Sequence, residues 1–264
     1  MDTKPGHFNF FAAANDGYKT LWLNRTAIAK LAFLPLMVKF GCLAAIIFLG
    51  MEGQILRHGL IMIPSYFAEG FLIAYIIRVL HSSGDLQADV REAHAYFEDI
   101  KAAMIAFILV QLALAFIVGY TMSQMPEMPI GEAQNTMPTN PSMTSQSFLA
   151  VTSMLVFIIW AFRFAWLHIP LAMGIPLNQF IQRISSFSSS FPMLGCWLIC
   201  FIPVVCVMVI ASRFALVIFP QVEGAHNTLS DLILFMLQGG FETVINILSA
   251  IAISYGFKAL MEQK

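Results

Sequence analysis

Long apolar stretches separated by short polar segments dominate the chain, and their lengths predict helices that cross a membrane. Spanning the hydrocarbon core takes about 20 apolar residues in a helix, whereas a membrane β-barrel is built from shorter strands of alternating polarity. Here the apolar runs are long and continuous, as between Ala102 and Met122. The predicted fold class is therefore all-α, a polytopic integral membrane helical bundle in one domain over residues 1–264, with six spans at about 27–50, 59–80, 102–122, 148–173, 192–219 and 236–257.

The segments outside the predicted spans carry patterns of their own. Residues 1–26 interleave aromatic and basic side chains, which favours a helix in the inner headgroup layer, although an ordinary cytoplasmic lead-in helix explains the pattern equally well. Residues 85–101 predict an amphipathic cytoplasmic helix that continues into the third span, and residues 123–147 form an outer loop. A further short interfacial helix is predicted after the fourth span, with one face formed by Phe180, Ile181, Ile184, Phe187 and Phe191.

The distribution of basic residues predicts the orientation of the spans. With the N-terminus placed inside, the three outer loops contain Arg57 and no other lysine or arginine. Basic residues concentrate on the cytoplasmic side of membrane proteins, so both chain ends are predicted to be cytoplasmic. The inner segments hold Lys4, Lys19, Arg25, Arg78, Arg91, Lys101, Arg183, Lys258 and Lys264.

The composition agrees with that of a membrane protein and indicates which classes of partner are expected. The chain is 59% hydrophobic and only 11% charged, whereas soluble domains are about a quarter charged. Its net charge of −1 gives no indication of a nucleic-acid partner. The expected partners are membrane lipids, with other membrane proteins or a second copy of the chain as alternatives. No removable signal peptide is evident, so the first span is expected to act as its own insertion signal.

Five ionisable side chains fall at membrane depth, namely Lys39, Glu69, Arg163, Arg213 and Glu242. An unpaired charge at the bilayer centre costs about 2.5–3.5 kcal/mol on insertion scales, so these side chains should face the bundle interior and find partners. Counting depth along the spans predicts two pairs, Lys39 with Glu69 and Arg213 with Glu242. Arg163 is left without an acid. Two interpretations remain open: the pairs fix the register of the helices, or they line a path for protons or ions.

Prolines and glycines predict irregular places in the spans. Pro35, Pro170 and Pro220 are candidate helix breaks, and Gly239-Gly240 predicts a hinge or cap near the start of the last span. The phrase Arg-Phe-Ala followed by proline occurs twice, from Arg163 and from Arg213. In each copy the proline frees a backbone carbonyl one turn after the arginine. The repetition is compatible with an internal duplication, but prolines near span ends explain it almost as well.

The sequence contains few candidates for chemistry. Met122, Met125 and Met128 in the outer loop offer soft thioether ligands for Cu(I), but many other methionines lie within spans, so no metal site is predicted. No phosphate-binding glycine loop, nucleophile elbow, His-Glu-x-x-His or Cys-x-x-Cys motif is present. The chain is therefore expected to be no enzyme and to use no cofactor.

Three phrases carry a family resemblance: Gly17 to Asn24, Arg213 to Pro220, and Tyr255 to Leu260. Together they resemble bacterial six-span membrane proteins of unknown function related to the membrane domain of glycerophosphoryl diester phosphodiesterases. The resemblance implies a fold and a place in the bacterial inner membrane more than an activity. The catalytic phosphodiesterase domain has no counterpart in this chain.

These observations favour a non-catalytic inner-membrane protein that serves as an accessory, scaffold or lipid-interacting component. The alternative is a small transporter or channel-like subunit that uses the five charged residues at membrane depth. Many transporters bind their substrates at midplane sites between interrupted helices. An integral enzyme acting on lipids is the third and least supported class.

Overall fold

The computed structural model describes residues 8–51, 54–82, 86, 96–124, 152, 156–184, 189–219 and 228–261. Helices make up nearly all of these residues, and no strand occurs among them. The predicted all-α fold class is therefore confirmed. In chain order the helices are α1 (Phe10–Leu23), α2 (Arg25–Phe48), α3 (Ile55–Ile61), α4 (Ile63–Ser82), α5 (Phe97–Gln124), α6 (Val156–Ala172), α7 (Leu177–Arg183), α8 (Ser190–Ile218) and α9 (Thr228–Met261).

Helices α2, α4, α5, α8 and α9 are long and apolar enough to cross a membrane. They coincide with five of the six predicted spans. The predicted fourth span, about 148–173, corresponds to the apolar α6 and to residue 152, which is helical, while residues 148–151 and 153–155 lie outside the described residues. A 3₁₀ turn at Phe162–Trp166 interrupts α6 just before Pro170, so the irregularity expected at this proline is present. The described part of the chain thus contains five full-length candidate spans and one shorter apolar helix.

Two of the expected helix interruptions are wrong. Pro35 lies inside α2, which continues without a break from Arg25 to Phe48. Gly239 and Gly240 lie inside α9, which begins at Thr228, well before the predicted start of the last span. Proline and glycine are tolerated within membrane helices because packing against neighbouring helices makes good the local loss of helix stability. Pro220 lies outside the described residues.

Helix α1 packs into the bundle against α8 and α9. Asn9 caps it, because its side-chain oxygen accepts a hydrogen bond from the Ala12 amide at 3.2 Å. Gly17 faces Ala252 so closely that a Cβ on Gly17 would lie 2.7 Å from the Ala252 Cβ. The Tyr18 hydroxyl donates to the Ile199 and Cys200 carbonyls, and burial raises the pKa of this phenol. The predicted interfacial segment is thus partly a packed element of the core.

The short helix α7 also lies against the core. Phe180 and Ile184, expected on a membrane-surface face, are 0% and 1% exposed. The Phe180 ring packs edge-on against Phe257 with their centroids 4.8 Å apart. Ile181 and Phe191 of the same predicted face are 47% and 51% exposed, and Phe187 lies outside the described residues. The structure therefore corrects this prediction, because the aromatic face of α7 fills space beside the end of α9.

Two apolar clusters lie at different heights of the bundle. The larger includes the Leu72–Ile77 part of α4 and the Ile245–Phe257 part of α9, together with buried residues of α1 and α8. The smaller cluster lies near the end of α2 at Phe48, and its buried residues are Leu43, Ile46 and Met62. Between these two clusters, α2, α4 and α9 each contribute charged or polar side chains.

Candidate functional site

Lys39 lies at the centre of this polar layer and is 2% exposed. Its Nζ is 3.0 Å from Glu69 Oε2 on α4 and 3.1 Å from Glu242 Oε2 on α9. It also donates a hydrogen bond to Thr243 Oγ1 at 3.2 Å. Asn246 completes the group by donating to Glu69 Oε1 at 2.9 Å. We call Lys39, Glu69, Glu242, Thr243 and Asn246 the charged cluster.

The positions of these residues along their helices explain why they meet. Lys39 lies about 13 Å before the end of α2 at Phe48, at 1.5 Å of rise per residue. Glu69 lies about 9 Å after the start of α4 at Ile63, on the neighbouring helix. Because the short α3 joins the two helices at this end, the two side chains reach similar heights. The predicted pairing of Lys39 with Glu69 is confirmed.

Glycine and threonine on α9 make room for the lysine and bind it. A Cβ on Gly239 would lie 2.7 Å from Leu43 Cδ1 and 3.8 Å from the Lys39 side chain. The absence of a side chain at Gly239 therefore allows α2 to approach α9 at this height. One turn later, the Thr243 hydroxyl accepts from Lys39 and donates to the Gly239 carbonyl at 3.1 Å. The ammonium thus has three oxygen partners, on two helices besides its own.

The two carboxylates differ in their surroundings. The side chain of Glu69 is 3% exposed, and its two oxygens receive hydrogen bonds from Lys39 and Asn246. The side chain of Glu242 is 50% exposed although it contacts the same lysine. One ammonium facing two carboxylates leaves an excess of one negative charge in the cluster when both acids are ionised. This imbalance is the main electrostatic property of the site.

The predicted pair of Arg213 and Glu242 is wrong. Glu242 binds Lys39 instead, and Arg213 is exposed near the end of α8. The error comes from the depth count, because α9 begins at Thr228, eight residues before the predicted start of the last span. The earlier start places Glu242 about 12 Å further along its helix than expected. At that height it meets α2.

Arg163, for which no acid could be assigned, is buried in the 3₁₀ turn of α6 and is 4% exposed. Its guanidinium donates a hydrogen bond to the Ile184 carbonyl, just after α7. It also lies over the rings of Trp160 and Phe164, about 5 Å from each centroid. Aromatic faces and a carbonyl therefore surround this cation. The structure places it apart from the contacts of Lys39.

Sequence reasoning missed Thr243 and Asn246, which supply half of the polar contacts in the cluster. The available signal was helical spacing, because Glu242 and Asn246 are four residues apart and so lie on one face of α9. A second ion pair was also missed. Arg78 Nη2 lies 3.1 Å from Asp99 Oδ2, and its guanidinium lies over the Tyr96 ring at 4.0 Å. This pair joins α4 to the start of α5.

A cavity of about 410 Å³ opens at the other end of α9. Its lining consists of Gly174, Ile175, Pro176, Gln179, Gln182 and Met261. Gly174 has φ 74° and directly abuts Arg78, so a side chain there would collide with the guanidinium. Met261 is about 28 Å along α9 from Glu242, so this cavity is no part of the charged cluster.

Metal ligands are not grouped in the described part of the chain. No set of three or more His, Cys, Asp or Glu residues there is placed to hold a metal ion. Among the candidate thioether ligands, Met125 and Met128 lie outside the described residues. Met122 lies in α5, in a part of the helix where the structure describes the backbone but not the side chains. The predicted absence of a metal site therefore stays a prediction.

Comparisons with protein-family models, with curated proteins and with solved structures find no match to this chain. The resemblance to membrane proteins related to glycerophosphoryl diester phosphodiesterases therefore rests on the sequence phrases alone. The class of protein that the fold defines is a helical membrane bundle. The charged cluster and the exposed surfaces of the helices are the features of this bundle that bear on its function.

Proposed function

We propose that the chain is a non-catalytic, multi-spanning protein of the bacterial inner membrane that serves as an accessory, scaffold or lipid-interacting component. One observation carries this proposal: the charged side chains at membrane depth on α2, α4 and α9 bind each other directly. Lys39 contacts both acids at about hydrogen-bond distance, with apolar clusters on either side along the bundle. Such contacts fix the register of three helices.

The outer surface of the bundle supports a lipid-facing role. Large apolar side chains are exposed on α2 and along the second half of α8, including Phe33 at 64%, Phe214 at 67% and Val217 at 79%. A patch of this kind in an aqueous protein would mark an interaction surface. On helices of membrane-spanning length it is the surface expected to face acyl chains. Trp22 near the end of α1 and Arg25 at the start of α2 form an exposed cation–π pair, which suits the headgroup layer.

The orientation belongs to the same proposal. Both chain ends are placed in the cytoplasm by the concentration of basic residues in the inner segments. The charged cluster then lies in the outer half of the membrane, and the cavity beside Met261 opens near the cytoplasmic face. This arrangement leaves the cytoplasmic ends of α1, α7 and α9 available to other components.

The alternative, a small transporter or channel-like subunit, is favoured by one specific observation. Glu242 is half exposed, which a purely structural ion pair does not require. A transporter would need this carboxylate to exchange a proton or solute with both sides of the membrane in turn. The accessory function requires no such alternation.

Reconstitution into liposomes that contain a pH-sensitive dye separates the two functions. With a potassium diffusion potential imposed, the accessory function predicts proton flux no greater than in empty liposomes. The same vesicles carrying Glu242→Gln protein serve as the matched control, because this change is expected to leave the bundle folded. Flux that requires wild-type protein and disappears with Glu242→Gln would reject the accessory function in favour of a transporter.

A further inference from the structure

We propose that Glu242 is a proton-exchange site within the bundle, which is reached from the end where α9 begins. The inference does not depend on whether the chain transports a solute. Its basis is the contrast between two carboxylates that share one ammonium. Glu69 is enclosed, and each of its oxygens accepts a hydrogen bond, whereas half of the Glu242 side chain is exposed.

The charge balance of the cluster selects a proton as the ligand. With both acids ionised, Lys39 leaves one negative charge uncompensated in a medium where charge is costly. Addition of one proton from water to the Glu242 carboxylate makes the cluster neutral and leaves the Lys39–Glu69 pair intact. Removal of the proton restores the contact of Lys39 with a second carboxylate.

A metal ion fits the same position poorly. The Lys39 Nζ lies 3.0, 3.1 and 3.2 Å from the oxygens of Glu69, Glu242 and Thr243. The ammonium therefore occupies the point between these oxygens at which a cation would be coordinated. A proton needs no coordination shell and can add to the open oxygen of Glu242.

A polar stripe on α9 marks the route that we infer. Asp231, Gln238, Glu242 and Asn246 recur at spacings of seven, four and four residues, which places them on one side of the helix, with Phe235 between the first two on that side. The side chains of this stripe are exposed or half-buried from Asp231 to Asn246. Further along the same side, Ser249 and Ile253 are fully buried. The stripe therefore lies at the surface of the bundle towards the start of α9 and is buried beyond Asn246.

Other titratable groups around Glu242 come from the two helices that pack against it. Lys39 and Cys42 lie on α2, and Glu69 and Tyr66 lie on α4. Tyr66 is close enough to both acids for their charges to act on its hydroxyl, but its side chain packs against the smaller apolar cluster. Glu242 is the acid of this group that is half exposed. It is therefore the one expected to exchange its proton.

Carbodiimide labelling of the purified wild-type protein tests the proposal. Dicyclohexylcarbodiimide reacts with protonated carboxylic acids, and the modified residue is located by mass spectrometry of peptides. We expect an adduct on Glu242 that decreases as the pH rises, with Glu69 unmodified in the same sample. Equal labelling at all pH values, labelling of Glu69 instead, or no adduct at Glu242 would overturn the proposal.

Three further arms make the result specific. Glu242→Gln should remove the adduct, while Glu69→Gln should keep it. Because the main result is read in wild-type protein, poor folding of either variant does not weaken the test.

Exchange of sodium for choline at constant ionic strength should leave labelling unchanged. Protection of Glu242 by sodium would mean that the site binds a metal ion and not a proton. In liposomes, a water-soluble carbodiimide should also label Glu242 from the side where α9 begins, and failure to do so would contradict the route along the stripe.

Discussion

Glu69 and Glu242 carry the same functional group and contact the same ammonium, but the contributions of the two side chains to stability should differ. Glu69 accepts hydrogen bonds from both Lys39 and Asn246, whereas Glu242 is half exposed and adds the excess charge. We expect Glu69→Gln to lower the free energy of unfolding by about 1.5–3 kcal/mol, the range for hydrogen bonds to charged groups. Glu242→Gln should cost less than about 1 kcal/mol, because the remaining pair is balanced.

Unfolding in mixed micelles, followed by far-ultraviolet circular dichroism, measures this difference. The two variants change the same carboxylate to the same amide, so each serves as the control for the other. A larger loss for Glu242→Gln than for Glu69→Gln would mean that the exposed acid is the main partner of Lys39.

The sequence allowed part of this site to be predicted. Lys39 and Glu69 lie near the centres of consecutive spans joined by a short turn, so counting depth was enough to pair them. Glu242 was assigned to the wrong cation because its helix starts eight residues earlier than the apolar pattern indicated. Polar residues at the start of α9, such as Asp231, hid the first turns of the helix. The contact of Thr243 with Lys39 depends on the packing of α2 against α9, which periodicity does not report.

At the scale of elements, α1 and α9 approach each other closely at Gly17. A Cβ on Gly17 would lie 2.7 Å from the Ala252 Cβ and 3.0 Å from its Cα, so the helix axes would have to separate. Because backbone atoms cannot yield as a side chain does, Gly17→Ala should destabilise the bundle by about 1–3 kcal/mol.

Gly41→Ala is the matched control, because nothing lies within 4 Å of a Cβ at that position in α2. Alanine is the better helix former, so this change should be neutral or stabilising by up to about 1 kcal/mol. Thermal unfolding of both variants in the same detergent gives the comparison. If Gly17→Ala unfolds at the wild-type temperature, α1 is not tightly held against α9.

The helices also show which structural features could not be predicted from the sequence pattern. Five long apolar stretches became five long helices, because length and continuity alone determine whether a segment can span a membrane. Pro35 was expected to break α2, yet the helix continues through it, with Pro35 itself buried. The apolar face of α7 was expected at the membrane surface but packs against Phe257. An apolar face is attracted equally to lipid and to a protein core, so sequence alone does not separate the two.

For the whole molecule, the proposed orientation can be tested directly. Fusions of a fluorescent protein and of alkaline phosphatase to the C-terminus report opposite sides of the membrane, because the first fluoresces in the cytoplasm and the second is active only outside it. We expect fluorescence and no phosphatase activity at the C-terminus. Phosphatase activity there would show that the bundle has the opposite orientation, with the charged cluster in the inner half of the membrane.

The bundle as a whole depends on Lys39 linking α2 to α4 and α9, so the most direct test removes this one charge. Lys39→Met should destabilise the protein by about 3–5 kcal/mol, because the buried carboxylate of Glu69 is left without its cation. The variant Lys39→Met/Glu69→Gln/Glu242→Gln buries no charge at the site and should recover most of that loss. Chemical unfolding of both variants beside wild type in the same micelles is the measurement. Wild-type stability for Lys39→Met, or no recovery in the triple variant, would contradict the claim that charge pairing holds the three helices together.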